Sequence, residues 1–235
     1  MINGDVSVYH SPSESVCKQL DQHSELLGLK FVFSNLLLTT KSIDVTKAVS
    51  DFSKSVKSRN ERFPVYARVT LVLQVSDKVP TLLESIIPSL RQNPLIECLA
   101  IRPATDTQLL DLITKPSFFD IISVDVSNGN FFQQAFSCTK LLKKASDTVI
   151  VELELSQSLR GSTELINLVS QTRQVFSKTG NVLVSSGAKS PLEMKSCLDM
   201  TNWATHALKL RRPKLVFDRL LDIVTKRRSL VANYT

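Results

Sequence analysis

The residues that could bind a catalytic metal ion are few and widely spaced in this sequence. Histidine occurs three times, as His10, His23 and His206. Hydrolases with two or three metal ions draw several histidine and carboxylate ligands to neighbouring strand ends, and a His-x-His pair on a strand is a usual first sign of them. The first predicted strand runs into His10, but the residue two positions earlier is Val8. We therefore predict no metal site and no cofactor, and we expect the histidines to be structural or exposed.

Two glutamates are the best candidates for acid–base chemistry. Glu152 and Glu154 lie two positions apart on a predicted strand, so their side chains point to the same face. Paired carboxylates at a strand end can transfer protons. No nucleophile elbow, phosphate-binding loop or dinucleotide-binding glycine motif accompanies them, and Asp120 and Asp125 face opposite ways. We therefore expect the glutamates to bind neighbouring side chains, and we expect no intrinsic catalytic activity.

A turn of small residues, SSGA at 185–188, follows the apolar strand predicted at 181–186. A helix opened by Ser190 and Pro191 comes next, and an RNA phosphate or another anion could bind the free N–H groups of such a helix start. The alternative is a tight turn in which Ser190 caps the helix and forms a capping box with Glu193. The pattern favours the capping box as structure and leaves phosphate binding as an additional hypothesis.

Positive charge is concentrated at the end of the chain. The formal net charge is +7 and the pI is about 9.3, and six of the seven net charges fall between residue 206 and the C-terminus. A basic surface suits a polyanion such as RNA, whereas a solvated face of a charged helix is the competing explanation. The basic residues of this segment are Lys209, Arg211, Arg212, Lys214, Arg219, Lys226, Arg227 and Arg228, against Asp218 and Asp222.

The pattern of apolar residues predicts a single α/β domain covering residues 1–235, with basic helices from about residue 206. Hydrophobic residues make up 43% of the chain, enough for a sizeable core. Short branched runs alternate with helical patterns at the spacing of parallel strands with helical crossovers. Runs such as NVLVSS indicate strands that are covered on both faces. A TIM-barrel-like (β/α) barrel, incomplete or irregular, fits best, with seven strands at 6–9, 29–33, 65–75, 96–101, 119–126, 148–155 and 181–186.

Helices are predicted between the strands, at 43–56, 79–91, 105–114, 131–144 and 161–178, and two more follow, one ending near residue 208 and one starting at 213. The last helix has an apolar face at helical spacing. By default this face packs on its own barrel. We nevertheless predict that some apolar surface is left open for a small protein partner, so that the isolated chain is poorly soluble or self-associates and becomes monodisperse when co-expressed with that partner. The apolar residues are Val216, Phe217, Leu220, Leu221, Ile223 and Val224.

The most specific pattern in the sequence lies at residues 182–210, VLVSSGAKSPLEMKSCLDMTNWATHALKL. It resembles the C-terminal motif of the thirty-kilodalton protein subunit family of ribonuclease P, which is shared with RNase MRP. Supporting matches are Arg102-Pro103, residues 119–123, Glu152-Leu153 and residues 156–162. The resemblance covers roughly residues 66–210, and the first sixty residues depart from it. The matching positions of the motif are Ser185, Ser186, Ala188, Pro191, Leu192, Glu193, Lys195, Asp199 and Asn202.

This resemblance implies a TIM-barrel-like fold that is related to PHP barrels but lacks their metal ligands. It also implies a non-catalytic role, because in this family the RNA cleaves and the protein stabilises the active RNA together with a small ferredoxin-like subunit and other protein subunits. Precursor tRNA, whose 5′ leader is removed, is then an indirect partner, and ribosomal RNA processing and a nuclear, nucleolar location accompany this role. We expect contacts with the RNase P or RNase MRP RNA at Lys189, Lys195, Lys209, Arg211, Arg212, Lys214, Arg227 and Arg228.

Two other functions stay open from the residues alone. One is a stand-alone PHP-like barrel phosphoesterase, which would bind metal and turn over phosphoesters. The other is a barrel with protein partners only, which would show no salt-dependent RNA binding. The three histidines and the basic C-terminal segment favour the RNA-associated subunit over both. No membrane partner is expected, because no apolar run approaches the ~20 residues that span a bilayer. Four widely spaced cysteines without a Cys-x-x-Cys pair indicate reduced thiols.

Overall fold

Seven parallel strands form a single sheet in which each strand pairs with the next one along the chain. The sheet belongs to a computed structural model that describes residues 4–9, 14–40, 45–60, 63–125, 149–155, 169, 173 and 181–232. All seven predicted strands are present, which confirms the predicted parallel sheet. They are β1 (Gly4–Tyr9), β2 (Phe31–Thr39), β3 (Val65–Val72), β4 (Cys98–Arg102), β5 (Ile121–Asp125), β6 (Ile150–Glu154) and β7 (Val182–Ser185).

The sheet curls until β1 and β7 meet, which nearly closes a barrel. One isolated parallel bridge joins Val8 to Ala188, and the Tyr9 amide donates to the Ala188 carbonyl over 2.8 Å. The Ser186 amide also donates to Oδ1 of Asp5 over 3.2 Å. The described residues thus form a TIM-barrel-like α/β barrel with seven strands where an ideal barrel has eight. The prediction of an incomplete barrel is confirmed.

Helices pack against the strands, and the prediction for residues 79–91 needs revision. The helix predicted at 79–91 is two helices that meet at Ser85, whose backbone (φ −120°, ψ −87°) is not helical. The helices predicted at 131–144 and 161–178 lie outside the described residues, apart from residues 169 and 173. The helices described are α1 (Glu14–Leu26), α2 (Val45–Asn60), α3 (Val79–Glu84), α4 (Ile86–Gln92), α5 (Asp106–Ile113), α6 (Cys197–Asn202) and α7 (Pro213–Ala232). None of them combines the length and the apolar character that crossing a bilayer requires.

Aromatic side chains and α7 close the end of the barrel at which the strands begin, which we call the floor. The ring of Phe31, at the start of β2, stacks on Phe217 of α7 with 5.4 Å between centroids. Phe33 stacks on Tyr66 at 5.0 Å. Further along α7, Arg228 donates to the carbonyl of Val65, at the start of β3, over 2.8 Å. The helix therefore lies across the floor and leaves the opposite end, the mouth, to the loops that follow the strands.

Candidate functional site

A buried ion pair occupies the middle of the barrel. Arg68 on β3 and Glu152 on β6 are both fully buried, and the guanidinium donates to the two carboxylate oxygens over 2.6 and 2.5 Å. Burial is the largest influence on the pKa of Glu152 and would raise it, but the charge and hydrogen bonds of Arg68, the hydroxyl of Ser185 and the charge of Arg102 together hold that pKa below its usual value. Arg68 Nε also lies 3.2 Å from the hydroxyl of Thr70. Glu152 is thus an ionised carboxylate that is neutralised by its partner, and it offers no free oxygen to a substrate.

A second carboxylate is bound nearer the mouth. Glu154 accepts hydrogen bonds from the hydroxyls of Ser7 and Tyr9, each over 2.7 Å, and it lies 2.6 Å from Nη2 of Arg102. Burial, reinforced by the negative charge of Glu154, raises the pKa of the Tyr9 phenol, so Tyr9 stays a donor. Arg102 also donates to Ser123 over 3.0 Å. The two glutamates share a face and bind neighbouring side chains, as predicted.

Apart from Arg102, which the sequence marked only as part of a supporting family match, the residues that bind these glutamates and their immediate neighbours were not singled out from the sequence. Arg68 and Thr70 on β3, and Ser7 and Tyr9 on β1, lie two positions apart and face the barrel interior. A polar residue at every second position of an otherwise apolar strand is the signal that could have found them. The apolar runs indicate strands covered on both faces, whereas the polar residues within them mark the face that lines the barrel.

The SSGA turn closes the barrel instead of exposing free N–H groups. Oδ1 of Asp5 accepts from the amides of Ser7 and Ser186 over 3.1 and 3.2 Å, and the amide of Ala188 donates to the hydroxyl of Ser186 over 3.0 Å. Complete burial raises the pKa of Asp5 to about 6. Because Ser185, Ser186 and Ala188 are buried and these amides are used inside the barrel, the hypothesis of a phosphate-binding turn is wrong for them.

The predicted capping box at Ser190 is also wrong, and a second box six residues later takes its place. Pro191–Glu193 is a single 3-10 turn, and the Ser190 side chain makes no capping bond. The turn ends because Met194 has an extended backbone (φ −65°, ψ 149°). Ser196 caps α6 instead: its hydroxyl accepts from the amide of Asp199 over 3.0 Å, in a reciprocal capping box. The remaining motif residues Leu192, Asp199 and Asn202 are exposed, and Pro191 and Glu193 are half-exposed.

Two of the predicted RNA-binding arginines hold α7 on the floor. Arg227 donates to both oxygens of Asp120, over 2.9 and 3.0 Å, and Asp120 also pairs with Arg91 over 2.8 Å. Burial raises the pKa of Asp120, and the neighbouring Arg91 opposes that shift. Arg228 pairs with Glu97. These two arginines therefore have acidic partners on the barrel itself.

Arg228 also packs on an aromatic ring. Its guanidinium lies 4.2 Å from the ring centroid of Tyr66, at a distance typical of a cation–π contact. Tyr66 in turn stacks on Phe33. The arginine is therefore part of the aromatic packing of the floor as well as an ion-pair partner.

The other predicted RNA-binding residues point into solvent. Lys209, Arg211, Arg212 and Lys214 are exposed and lie in the loop 208–213 and at the start of α7, a segment we call the basic loop. Lys189 is exposed at the mouth, with its ammonium 5.5 Å from the ring centroid of Tyr9, and Lys195 is half-exposed. The structure thus divides the predicted set of eight into two arginines engaged at the floor and six cations open to solvent.

The apolar face of α7 packs on its own barrel. Val216, Phe217, Leu220 and Val224 are buried, which confirms the default expectation. Leu215, at the start of the helix, is 59% exposed. Leu221 and Ile223 are half-buried, so the described residues of this helix leave no fully open apolar face, and self-association of the isolated chain stays a prediction.

The solved structures that are similar to this chain include three enzymes. A D-hydantoinase matches with a TM-score of 0.45 at 12% identity, and the chain covers 78% of its own length and only 46% of that protein. The active domain 2 of a thermostable chitinase from Pyrococcus furiosus matches with a TM-score of 0.47 at 11% identity, over 95% of both chains. The phospho-2-dehydro-3-deoxyheptonate aldolase from Thermotoga maritima matches with a TM-score of 0.34 at 12% identity, over 98% and 70%. All three scores lie below 0.5, so the fold assignment rests on strand order and pairing.

Comparison of the sequence with models of protein families assigns the chain to a family. No curated protein matches the chain significantly. The family model RNase P subunit p30, in contrast, matches residues 4–229. The match begins in β1 and ends in α7, so the expectation that the first sixty residues depart from the family is wrong. The SSGA turn that closes the barrel and the Pro-Leu-Glu turn that follows it both lie within the matched residues. The chain belongs to the RNase P subunit p30 family.

Proposed function

We propose that this chain is a non-catalytic protein subunit of a ribonuclease P or RNase MRP ribonucleoprotein. The observation that carries the proposal is the family match over residues 4–229. The barrel interior agrees with it, because the two glutamates that could have done acid–base work are buried and bound to Arg68, Arg102 and hydroxyl groups. A stand-alone phosphoesterase would need open ligands or an open base, and neither glutamate supplies one.

The proposed RNA contact is a set of six cations, of which five are exposed and one, Lys195, is half-exposed. Four of them, Lys209, Arg211, Arg212 and Lys214, are close together in sequence, and among the described residues their one ion pair is the long, exposed contact of Lys214 with Asp218 at 3.9 Å. Arginine forks and lysine ammonium groups both bind phosphate oxygens. Lys189 and Lys195 complete the set. Arg227 and Arg228, which the sequence also suggested, stabilise the floor in this proposal and bind no RNA.

The role in the complex follows the family. We assign the chain to an assembly that contains the RNase P or RNase MRP RNA, a small ferredoxin-like subunit and further protein subunits. The assembly removes the 5′ leader of precursor tRNA, and an RNase MRP assembly acts on ribosomal RNA precursors. A nuclear and nucleolar location is part of the same proposal.

Purification of the tagged chain from its cells, followed by sequencing of the bound RNA, tests this role directly. Recovery of an RNase P or RNase MRP RNA is expected, and its absence from repeated preparations contradicts the proposal. Stoichiometric metal together with phosphoester turnover by the purified chain would overturn the non-catalytic assignment.

Replacement of Arg211, Arg212 and Lys214 by alanine tests the RNA contact itself. We expect weaker RNA binding and a flatter dependence of log K on log salt, by about 0.7 to 0.9 for each phosphate that the variant no longer neutralises. Lys54→Ala is the control, since Lys54 is an exposed cation on α2, outside the basic loop. An unchanged salt slope in the triple variant counts against the basic loop as the RNA-binding surface.

A further inference from the structure

Two residues of the basic loop adopt a backbone conformation that normally belongs to glycine. Lys209 has φ 55° and Arg212 has φ 51°, and they are the non-glycine residues with positive φ in the described chain. A side chain in this left-handed region brings its Cβ close to the backbone, so every residue except glycine incurs a free-energy cost there, with asparagine and aspartate the mildest exceptions. Lys209 and Arg212 therefore occupy two positions in one short loop at which the backbone conformation favours glycine.

Elsewhere in the chain, a glycine adopts the same left-handed conformation at the end of a helix without this cost. α1 ends at Leu26, and Gly28, with φ 72°, turns the backbone so that the amide of Leu29 donates to the carbonyl of Ser24 over 3.0 Å. Glycine is the usual residue at this point of a helix end. Lys209 occupies the equivalent place after the π-helical turn Trp203–Ala207, where the amide of Leu210 donates to the carbonyl of Ala204 over 2.8 Å.

Arg212 is under a second constraint. It directly precedes Pro213, and a residue before proline is normally pushed into extended conformations. Its positive φ is therefore unfavourable for two separate reasons. Its carbonyl still accepts from the amide of Leu215 over 3.0 Å, so the conformation is held by the start of α7.

Buried residues fix the loop between these positions. Leu208, Leu210 and Pro213 are buried, whereas the cations between and after them are exposed. No ion pair links Lys209, Arg211 or Arg212 to any other residue within the described ranges. The three buried residues hold the loop backbone in place. The positive φ angles of Lys209 and Arg212 set the directions in which their side chains project from that backbone.

We propose that Lys209 and Arg212 each bind a phosphodiester group of RNA, and that their left-handed backbone conformation presents the two cations in a preformed arrangement. This inference rests on the proposed function, because it names the residues and the backbone geometry of its RNA contact. Fixed cations suit a phosphodiester backbone, which repeats one negative charge at every nucleotide. Presentation by a rigid backbone lowers the ordering cost of binding.

Glycine substitutions test the backbone strain and the charge of each residue through two different measurements, the melting temperature and the RNA affinity. Lys209→Gly and Arg212→Gly remove one charge and the backbone strain together, so we expect the melting temperature to rise by roughly 2–4 °C. The same variants should lose several-fold in affinity for a labelled duplex RNA, with a salt slope lower by about 0.7 to 0.9 for each phosphate contact. Arg211→Gly is the matched control, because it removes the same charge from a position without positive φ. It should weaken RNA binding without raising the melting temperature.

The outcomes distinguish this inference from the proposed function on which it rests. If both glycine variants bind the duplex RNA as tightly as the unchanged chain while Arg211→Ala with Lys214→Ala weakens binding, the inference fails and the RNA contact stands. If none of these variants affects RNA binding, the RNA contact fails with it. A lower melting temperature in both glycine variants contradicts the backbone strain and overturns the inference. Tight binding of poly-glutamate that duplex RNA cannot displace assigns the loop to an acidic protein segment and overturns it as well.

Discussion

The basic loop and the turn of α7 at Arg227 and Arg228 carry the same kind of charge, but their surroundings differ. At the floor, Asp120 and Glu97 lie directly before β5 and β4, and each binds one of the two arginines. In the loop, Lys209 and Arg212 face solvent on a strained backbone. A dense run of positive charge in a sequence can therefore contain both structural cations and cations that are available to a binding partner. The structural cations are those that have an acidic partner on the barrel.

The largest effect is expected where an arginine is completely enclosed. Arg68→Ala leaves Glu152 charged and buried without its partner, and breaking such a pair from one side costs about 3–5 kcal/mol of unfolding free energy. Urea unfolding at neutral pH measures this loss. The double variant Arg68→Met with Glu152→Leu removes both charges and should recover most of it. A loss below about 1 kcal/mol in Arg68→Ala would show that solvent screens the pair, as it does a surface ion pair.

A smaller effect is expected at the floor. Arg227→Ala should lower the unfolding free energy by about 1–2 kcal/mol, because Asp120 keeps Arg91 but loses a charged donor. Arg211→Ala, its counterpart in the basic loop, should change stability by no more than ~0.5 kcal/mol. RNA affinity should respond in the opposite way, falling in Arg211→Ala and staying unchanged in Arg227→Ala. Equal RNA losses in both variants would erase the distinction between the two regions.

The smallest effect concerns a residue without charge. Ser196→Ala removes the cap of α6 and should cost ~1 kcal/mol without any change in RNA binding. Ser190→Ala is its matched control and should be nearly neutral, since the Ser190 hydroxyl makes no capping bond. Thermal melts of the two variants decide the point, and a larger shift for Ser190→Ala would restore the capping box first suggested by the sequence.

The strands could be predicted from the sequence because each is a short apolar run between turn residues, and a parallel barrel buries both of its faces. The capping error had a specific cause. Ser190 to Glu193 and Ser196 to Asp199 both have serine followed three positions later by an acid, and the pattern cannot tell which one precedes a full helix. The full helix follows Ser196, because the extended backbone of Met194 ends the turn that begins at Ser190.

The partners inside the barrel could not be predicted for a different reason. Arg68 and Glu152 are 84 positions apart, and Tyr9 and Glu154 are 145 apart. Local periodicity assigns a residue to a face of its strand but carries no information about which distant strand lies opposite. The left-handed conformations of Lys209 and Arg212 were equally hidden, since neither residue type indicates positive φ.

The way in which the barrel closes also sets the order in which it can assemble. Every strand pairing in the sheet joins neighbours along the chain, so each can form as soon as two consecutive strands exist. The bond between Ser186 and Asp5 instead spans 181 positions, and chain entropy opposes so distant a contact until the rest of the sheet holds its ends together. Closure is therefore expected late in folding, and until then β1 and β7 are open edges that another chain could pair with. Of the seven strands, β1 is synthesised first, and its pairing with β7 is therefore expected to form last.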